Sequence, residues 1–402
     1  MRVVDDTLNA DVAYRLACEG TGLLWRGDYH QARQMLQALG RRLDRSAQAT
    51  QASQARKQAN SVLQKTELTV QSNQALSANF VSNLTPMAAQ EVSQAFHLHR
   101  QAQGHRARVL GMVLLPFGVD HRIDLRRAPD VRQACAEGWG PATADTPPSV
   151  ASLRELLALV SAHEWHKKGV EIPALGQPPH NRIHPRYGVF SPVRGEYVDL
   201  VATAPLPAPA EQLLAFDIGT GTGVLSAVLA RRGVARVVAT DLDERALACA
   251  RANLQRLGLQ ASPGEPHTQG QVVELVQADL FPPGRAQLVV CNPPWLPARA
   301  SSPIEHAVYD EGSRMLRGFL NGLADHLAPG GEGWLIMSDL AERLGLRAPT
   351  ELTDWVTAAG LRVVGQLNAR PLHPKARDTS DPLHAARAAE VTSLWRLAAL
   401  AG

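Results

Sequence analysis

The sequence predicts an α/β protein: a doubly wound, seven-stranded, mostly parallel sheet, preceded by a mainly helical N-terminal domain. Three observations carry this. After about residue 209, short apolar and β-branched runs alternate with stretches of helical periodicity. A cluster of glycines ends the first of those runs and opens a helix. Upstream, apolar residues recur at three- and four-residue spacing instead.

The chain has 402 residues, 45% of them hydrophobic and 20% charged, which is ample for a sizeable core and two domains. Residues 1–135 read as the mainly helical domain, with the role of substrate recognition. Its helices are VAYRLACEG and YHQARQMLQALGRRL. The stretch 46–79 is rich in Gln, Ala and Ser, offers little to bury, and reads as an insertion. RVLGMVLLPFGV (108–119) is apolar enough for a strand and turn. Residues 136–208 read as a connection: a loop at 136–149, a helix at 153–169, then a Pro- and Gly-rich run.

The remaining residues, 209–402, give seven strands: 213–219, 235–243, 272–280, 287–292, 331–340, 361–369 and 393–400. Helical patterns separate most of them, among them a long helix from Ser313 to His326. In such a sheet the ligand is expected at the carboxyl ends of the strands.

Charge and cysteine usage narrow the class. The net charge is only +3, yet residues 41–108 hold nine Lys or Arg against three acids. That patch suits nucleic acid, an acidic protein surface, or simple solvation. The four cysteines are too far apart for a disulfide scaffold or a zinc knuckle. His163-Glu164-Trp165-His166 departs from metalloprotease spacing, and no metal is expected. The N-terminus lacks the apolar core of a signal peptide, and no run approaches the length of a membrane span. The expectation is a cytoplasmic protein that does not engage membranes.

The first glycine cluster is FDIGTGTG, 216–223. It lacks the Gly-Lys-Ser/Thr ending of a P-loop and fails the Gly-x-Gly-x-x-Gly spacing in either register. What remains is an acid, Asp217, followed by Gly219, Gly221 and Gly223. An acid there would repel a pyrophosphate but suits the cationic amino-acid end of S-adenosylmethionine. Asp241 ends the second strand, where a carboxylate can accept both ribose hydroxyls. Asp279 ends the third and can accept from an adenine amino group, with Leu280 or Phe281 beside the ring. Asp243 reads as a helix cap.

The fourth strand ends in QLVVCNPPWLP, 287–297. The Asn292 side-chain oxygen can accept one N–H of a planar nitrogen, and the Pro293 carbonyl, directed by Pro294, the other. Those bonds orient the lone pair and stabilise the charge that grows on nitrogen. Trp295 offers a flat wall. Asp217–Gly223 with Asn292–Trp295 resembles the class I S-adenosylmethionine-dependent methyltransferases, in particular those with an Asn-Pro-Pro-aromatic motif. Members of that group modify glutamine in release factors, adenine N6 in DNA or RNA, and guanine N2 in RNA. The resemblance covers roughly 185–340 and implies a cofactor site at Asp217, Gly219, Gly221, Gly223, Asp241, Asp279, Leu280 and Asn292. It implies acceptor-binding residues at Asn292, Pro293, Pro294 and Trp295.

Pro192-Val193-Arg194-Gly195-Glu196 resembles the Pro-Arg-Pro-x-Thr-Glu segment of release-factor glutamine methyltransferases, without its second proline and threonine. Arg194 and Glu196 become candidate substrate contacts. So do Lys375 and Arg377, in the long excursion 371–391 between the last two strands. A protein glutamine, in a partner such as a translation factor, is the first acceptor expected. A base in RNA, the ribosome or DNA is second, and a small-molecule amine third.

Overall fold

The computed structural model describes residues 1–48, 86–260, 272–300, 305, 307–371 and 377–400. The Gln-rich insertion, from residue 49 onward, and Lys375 lie outside the described residues. The chain forms two compact units, Met1–Ala88 with His97–Val160, and Ala89–Phe96 with Ser161–Gly402.

The first unit holds β1 (Arg2–Val4), α1 (Ala10–Cys18), β2 (Leu23–Trp25), α2 (29–48), much of α3 (Pro86–Leu110), β3 (Val113–Phe117), α4 (Arg132–Trp139), β4 (Ser149–Ser152) and the start of α5 (Leu153–Lys168). The expected helices are present, and between them lies a four-stranded sheet in the order β1-β2-β3-β4. The first three strands run parallel and β4 returns antiparallel to β3. Three-residue strands are too short to show an alternating pattern, so the helical periodicity around them dominates the sequence. Leu23, Leu24 and Trp25 are all buried, as are Val113, Leu115 and Phe117. Residues 136–160 belong to this unit rather than to a connection, because β4 completes its sheet. The cationic stretch is partly neutralised locally: Arg42 pairs with Asp11 at 2.7 Å, and Arg106 with Asp44.

The second unit begins with the paired strands β5 (Val170–Glu171) and β6 (Arg182–Ile183), then α6 (Glu196–Thr203). There follow β7 (Leu214–Ile218), α7 (Val224–Arg231), β8 (Arg236–Asp241), α8 (Glu244–Arg256), β9 (Val272–Gln277) and β10 (Ala286–Cys291). The chain continues through α9 (Arg314–His326), β11 (Leu327–Ser338), α10 (Leu340–Arg343), α11 (Glu351–Ala358), β12 (Leu361–Ala369), α12 (His384–Ala389) and β13 (Thr392–Ala399). The seven strands lie in the order β12-β13-β11-β10-β7-β8-β9, and β13 pairs antiparallel with both neighbours. This is the sheet typical of class I methyltransferases.

Both faces are covered, which is why the central strands read as unbroken apolar runs. Ala215, Val237, Leu288 and Val290 pack with α6 and α7 on one side. Phe216, Ile218, Val289 and Cys291 pack with α9 and α11 on the other. On α9 the buried residues are Leu316, Phe319, Leu320 and Leu323, the spacing of one helical face. Each such side chain contributes roughly 1.5–3 kcal/mol on full burial. From β7 the chain winds outward through β8 and β9 on one side and β10 and β11 on the other. The carboxyl ends of β7 and β10 therefore flank the switch point where ligands of such sheets bind. Among the described residues no helix is long and apolar enough to cross a membrane.

Candidate active site

The loop after β7 is built by its glycines. Gly219, Gly221 and Gly223 have φ of 72°, 57° and 81°, a region that L side chains seldom adopt. The loop folds onto the end of β8. The amides of Gly219 and Thr220 donate to the Thr240 carbonyl, Gly221 to Asp241 Oδ2 at 3.0 Å, and Gly223 to the Thr220 carbonyl. A phosphate cradle needs such amides free. These four are spent internally, and at Gly221 the loop offers glycine Cα surface instead. A Cβ on Gly221 would meet no described atom within 4 Å, so this position faces open space.

Asp217 lies beneath the loop. It is fully buried, and its Oδ2 accepts from Thr220 Oγ1 (2.8 Å), Ser226 N (3.0 Å) and Ser226 Oγ (2.5 Å). Burial pushes its carboxyl up from the ordinary value, against these donors. The sequence reading faced Asp217 toward a ligand; in the structure Oδ2 braces the loop against the first turn of α7. Asp241 is half-buried and also raised by burial. Its Oδ1 accepts from the Asp243 amide and its Oδ2 from Gly221, and the Leu242 amide also favours its ionised form. Asp243 caps α8 through the Arg245 amide.

Past β9, Asp279 is exposed and pairs with Arg314 at 3.2 Å. Leu280 adopts φ 72°, an uncommon conformation for a branched side chain. It is held there: Thr240 Oγ1 donates to its carbonyl at 2.5 Å, and α9 is cut away to admit the loop. A Cβ on Gly318 would stand 2.7 Å from Leu280 Cδ1, and one on Gly322 2.6 Å from Phe281 Cε2. Phe281 stacks on His326 with ring centroids 4.2 Å apart.

Asn292 follows β10 directly, and Cys291 is in register with Ile218, so Asn292 and Gly219 leave adjacent strands side by side. The Trp295 indole N–H donates to Asn292 Oδ1 at 2.9 Å. Pro293 is buried. The Arg194 guanidinium lies over the Trp295 ring, 5.1 Å from its centroid, and covers one face of the proposed wall. Arg194 also donates to Glu196 and to Glu390, each at 3.0 Å. After Trp295 the chain is fixed by pairing of Leu296 with Tyr309 and by the buried apolar cluster that Leu296 shares with Phe96, Leu340 and Leu344. Asp310 then caps α9 through the Met315 and Leu316 amides.

The structure thus brings Asp217, the three loop glycines and Asp241 into one cluster. Beside it stand Asn292, Pro293, Pro294, Trp295, Arg194 and Glu196. Asp279 and Leu280 stand one strand further out, and Arg377 is exposed in the excursion before β13. Sequence reasoning missed Thr220, Ser226, Asn253 and Glu390. Asn253 is fully buried in α8 and ties the Thr222 carbonyl to the His184 backbone, which anchors the proline-rich segment to the glycine loop. No local pattern marks it. Among the described residues no group of three His, Cys, Asp or Glu could hold a metal ion.

Residues 181–343 match the family model of the methyltransferase small domain. Over 77 residues the chain is 42% identical to a ribosomal protein L11 methyltransferase of Pelotomaculum thermopropionicum, covering 19% of this chain and 22% of that protein. Over 133 residues it is 35% identical to a release factor glutamine methyltransferase of Moorella thermoacetica, covering 32% and 44%. Over 136 residues it is 30% identical to a tRNA1(Val) (adenine(37)-N6)-methyltransferase of Bacteroides thetaiotaomicron, covering 32% and 53%. The chain spans about half or less of the length of these relatives.

Proposed function

We propose that the chain is an S-adenosylmethionine-dependent N-methyltransferase whose acceptor is a planar nitrogen, in the first place a protein glutamine amide. One observation carries this most: Asn292-Pro293-Pro294-Trp295 leaves β10 immediately beside the glycine loop of β7, at the switch point of the sheet. The residues present fit the cofactor. Gly221 leaves room for close approach, the half-buried Asp241 carboxylate stands beside the loop as an acceptor for ribose hydroxyls, and the amides of Gly219, Thr220, Gly221 and Gly223 are spent internally rather than held for a phosphate. When bound, S-adenosylmethionine supplies an electrophilic sulfonium methyl.

The chain's residues then have three tasks. Asp217, Thr220 and Ser226 keep the loop rigid, so that little ordering is needed on binding. Asn292 Oδ1 and the Pro293 carbonyl accept the two N–H bonds of the acceptor, which aims the nitrogen lone pair and stabilises its developing charge. The Trp295 N–H takes one lone pair of Oδ1 and leaves the other for the acceptor. The proton leaves after transfer, so no strong base is required.

Glutamine is placed first because the chain is similar over 133 residues to a release factor glutamine methyltransferase, and because Arg194 and Glu196 stand beside the acceptor motif. A nucleic-acid base is the second reading, favoured by the similarity to the tRNA adenine enzyme. Incubation with methyl-labelled cofactor and a cell extract split into protein, ribosomal RNA, transfer RNA and DNA separates them. Label in protein is expected; label confined to nucleic acid overturns the first reading.

A further inference from the structure

Arg194, Glu196, Glu390 and Ser338 form a buried polar network at the carboxyl edge of the sheet. The Glu390 side chain has 0% exposure, Glu196 7% and Arg194 19%. Glu390 stands just before β13, where Ser338 Oγ at the end of β11 donates to its Oε1 at 2.7 Å. Ser338 in turn accepts the Leu340 amide. The Val391 amide donates to Asp339 and fixes the backbone next to Glu390. Glu390 is therefore held by two strands before it reaches Arg194.

The second carboxylate completes the fixation. Arg194 Nε donates to Glu196 and a terminal nitrogen to Glu390. A planar guanidinium bonded through two of its nitrogens to two held carboxylates has one orientation left. That plane lies over Trp295, whose N–H meets Asn292 Oδ1. An indole nitrogen only donates, so it dictates which end of the Asn292 amide faces it. With the amide reversed, Nδ2 would face the indole and the acceptor would lose its oxygen.

We propose that Glu390 is a positioning residue. Through Arg194 and Trp295 it sets the orientation of the Asn292 amide, so that Oδ1 faces the nitrogen to be methylated. This rests on the methyltransferase reading for its purpose, but the relay itself is a property of the fold.

The test uses the full chain with 15N-labelled tryptophan. Seven indole N–H signals are expected, and the one absent from Trp295→Phe belongs to Trp295. In Glu390→Gln and Arg194→Lys that signal should shift and exchange faster with solvent while the other six stay in place. At saturating S-adenosylmethionine, methyl transfer to the extract fraction labelled by wild type should fall between about ten- and a hundredfold. Cofactor affinity should stay within about threefold, because the glycine loop is untouched. A Trp295 signal unmoved in both variants, or transfer retained in both, overturns the proposal. If Glu390→Gln disturbs all seven signals, Arg194→Lys decides, since its side chain is part-exposed and keeps the charge. If wild type labels no fraction, the methyltransferase reading fails while the indole signals still decide the relay.

Discussion

Gly221 and Gly223 stand two residues apart in one loop, and alanine at each should fail in a different way. Both have positive φ, which costs an L residue roughly 1–2 kcal/mol. Lower entropy of the unfolded chain offsets about 0.4–1 kcal/mol of that. At Gly221 nothing described lies within 4 Å of the new Cβ, so Gly221→Ala should lose only about 1 kcal/mol of stability. At Gly223 the Cβ would stand 3.2 Å from Ala250 Cβ and 3.3 Å from its Cα. Ala250 lies on the buried face of α8 and cannot rotate away, so crowding adds about 1–3 kcal/mol. Urea unfolding should therefore rank Gly223→Ala well below Gly221→Ala. Calorimetric titration with S-adenosylmethionine should reverse the order of interest: among folded protein, Gly221→Ala should lose at least about tenfold in affinity, or 1.4 kcal/mol. Wild-type affinity in Gly221→Ala would refute the loop as a cofactor cradle. Equal stability of the two variants would refute its packing on α8.

Asp217→Ala leaves the buried Ser226 amide without an acceptor and should cost about 2–4 kcal/mol, whereas Asp217→Asn keeps an acceptor oxygen and should cost within about 1 kcal/mol by urea unfolding. The pH dependence has a defined sign. A carboxyl raised by burial contributes stability that is complete below its unfolded value and is lost as pH rises through the folded one. Asp217→Asn should therefore gain on wild type across that window. For the thiols, burial pushes Cys135 up to about 11 and Cys249 and Cys291 upward as well. Brief alkylation of the native protein near pH 8 should spare all three and modify only Cys18, read by mass spectrometry, and rapid labelling of Cys291 would contradict its place in the core.

The second unit was legible because its signals are local. LLAFDIG and QLVVCN read as buried parallel strands from their unbroken apolar runs, and the loop glycines and Asn292 announce themselves at the strand ends. Asp217 was found by position, but its direction was not, because only the fold reveals that Ser226 and Thr220 reach it. Glu390 was invisible: it lies 196 residues from the arginine it holds. In the N-terminal unit the helices and the strand VLLPF were legible, and the rest of the sheet was not. RVV and LLW are too short to alternate, and LLW pairs with VLLPF some way along the chain, with α2 and α3 among the described residues between them.

The proposed mechanism has Asn292 present an oxygen to a planar nitrogen beside a bound methyl donor. Its most direct test is single-turnover transfer from methyl-labelled S-adenosylmethionine to the labelled extract fraction, by wild type and by Asn292→Ala, with cofactor binding measured in parallel. Transfer should fall by at least about a hundredfold in Asn292→Ala, with cofactor affinity changed far less. Transfer by Asn292→Ala at the wild-type rate would contradict that role for Asn292.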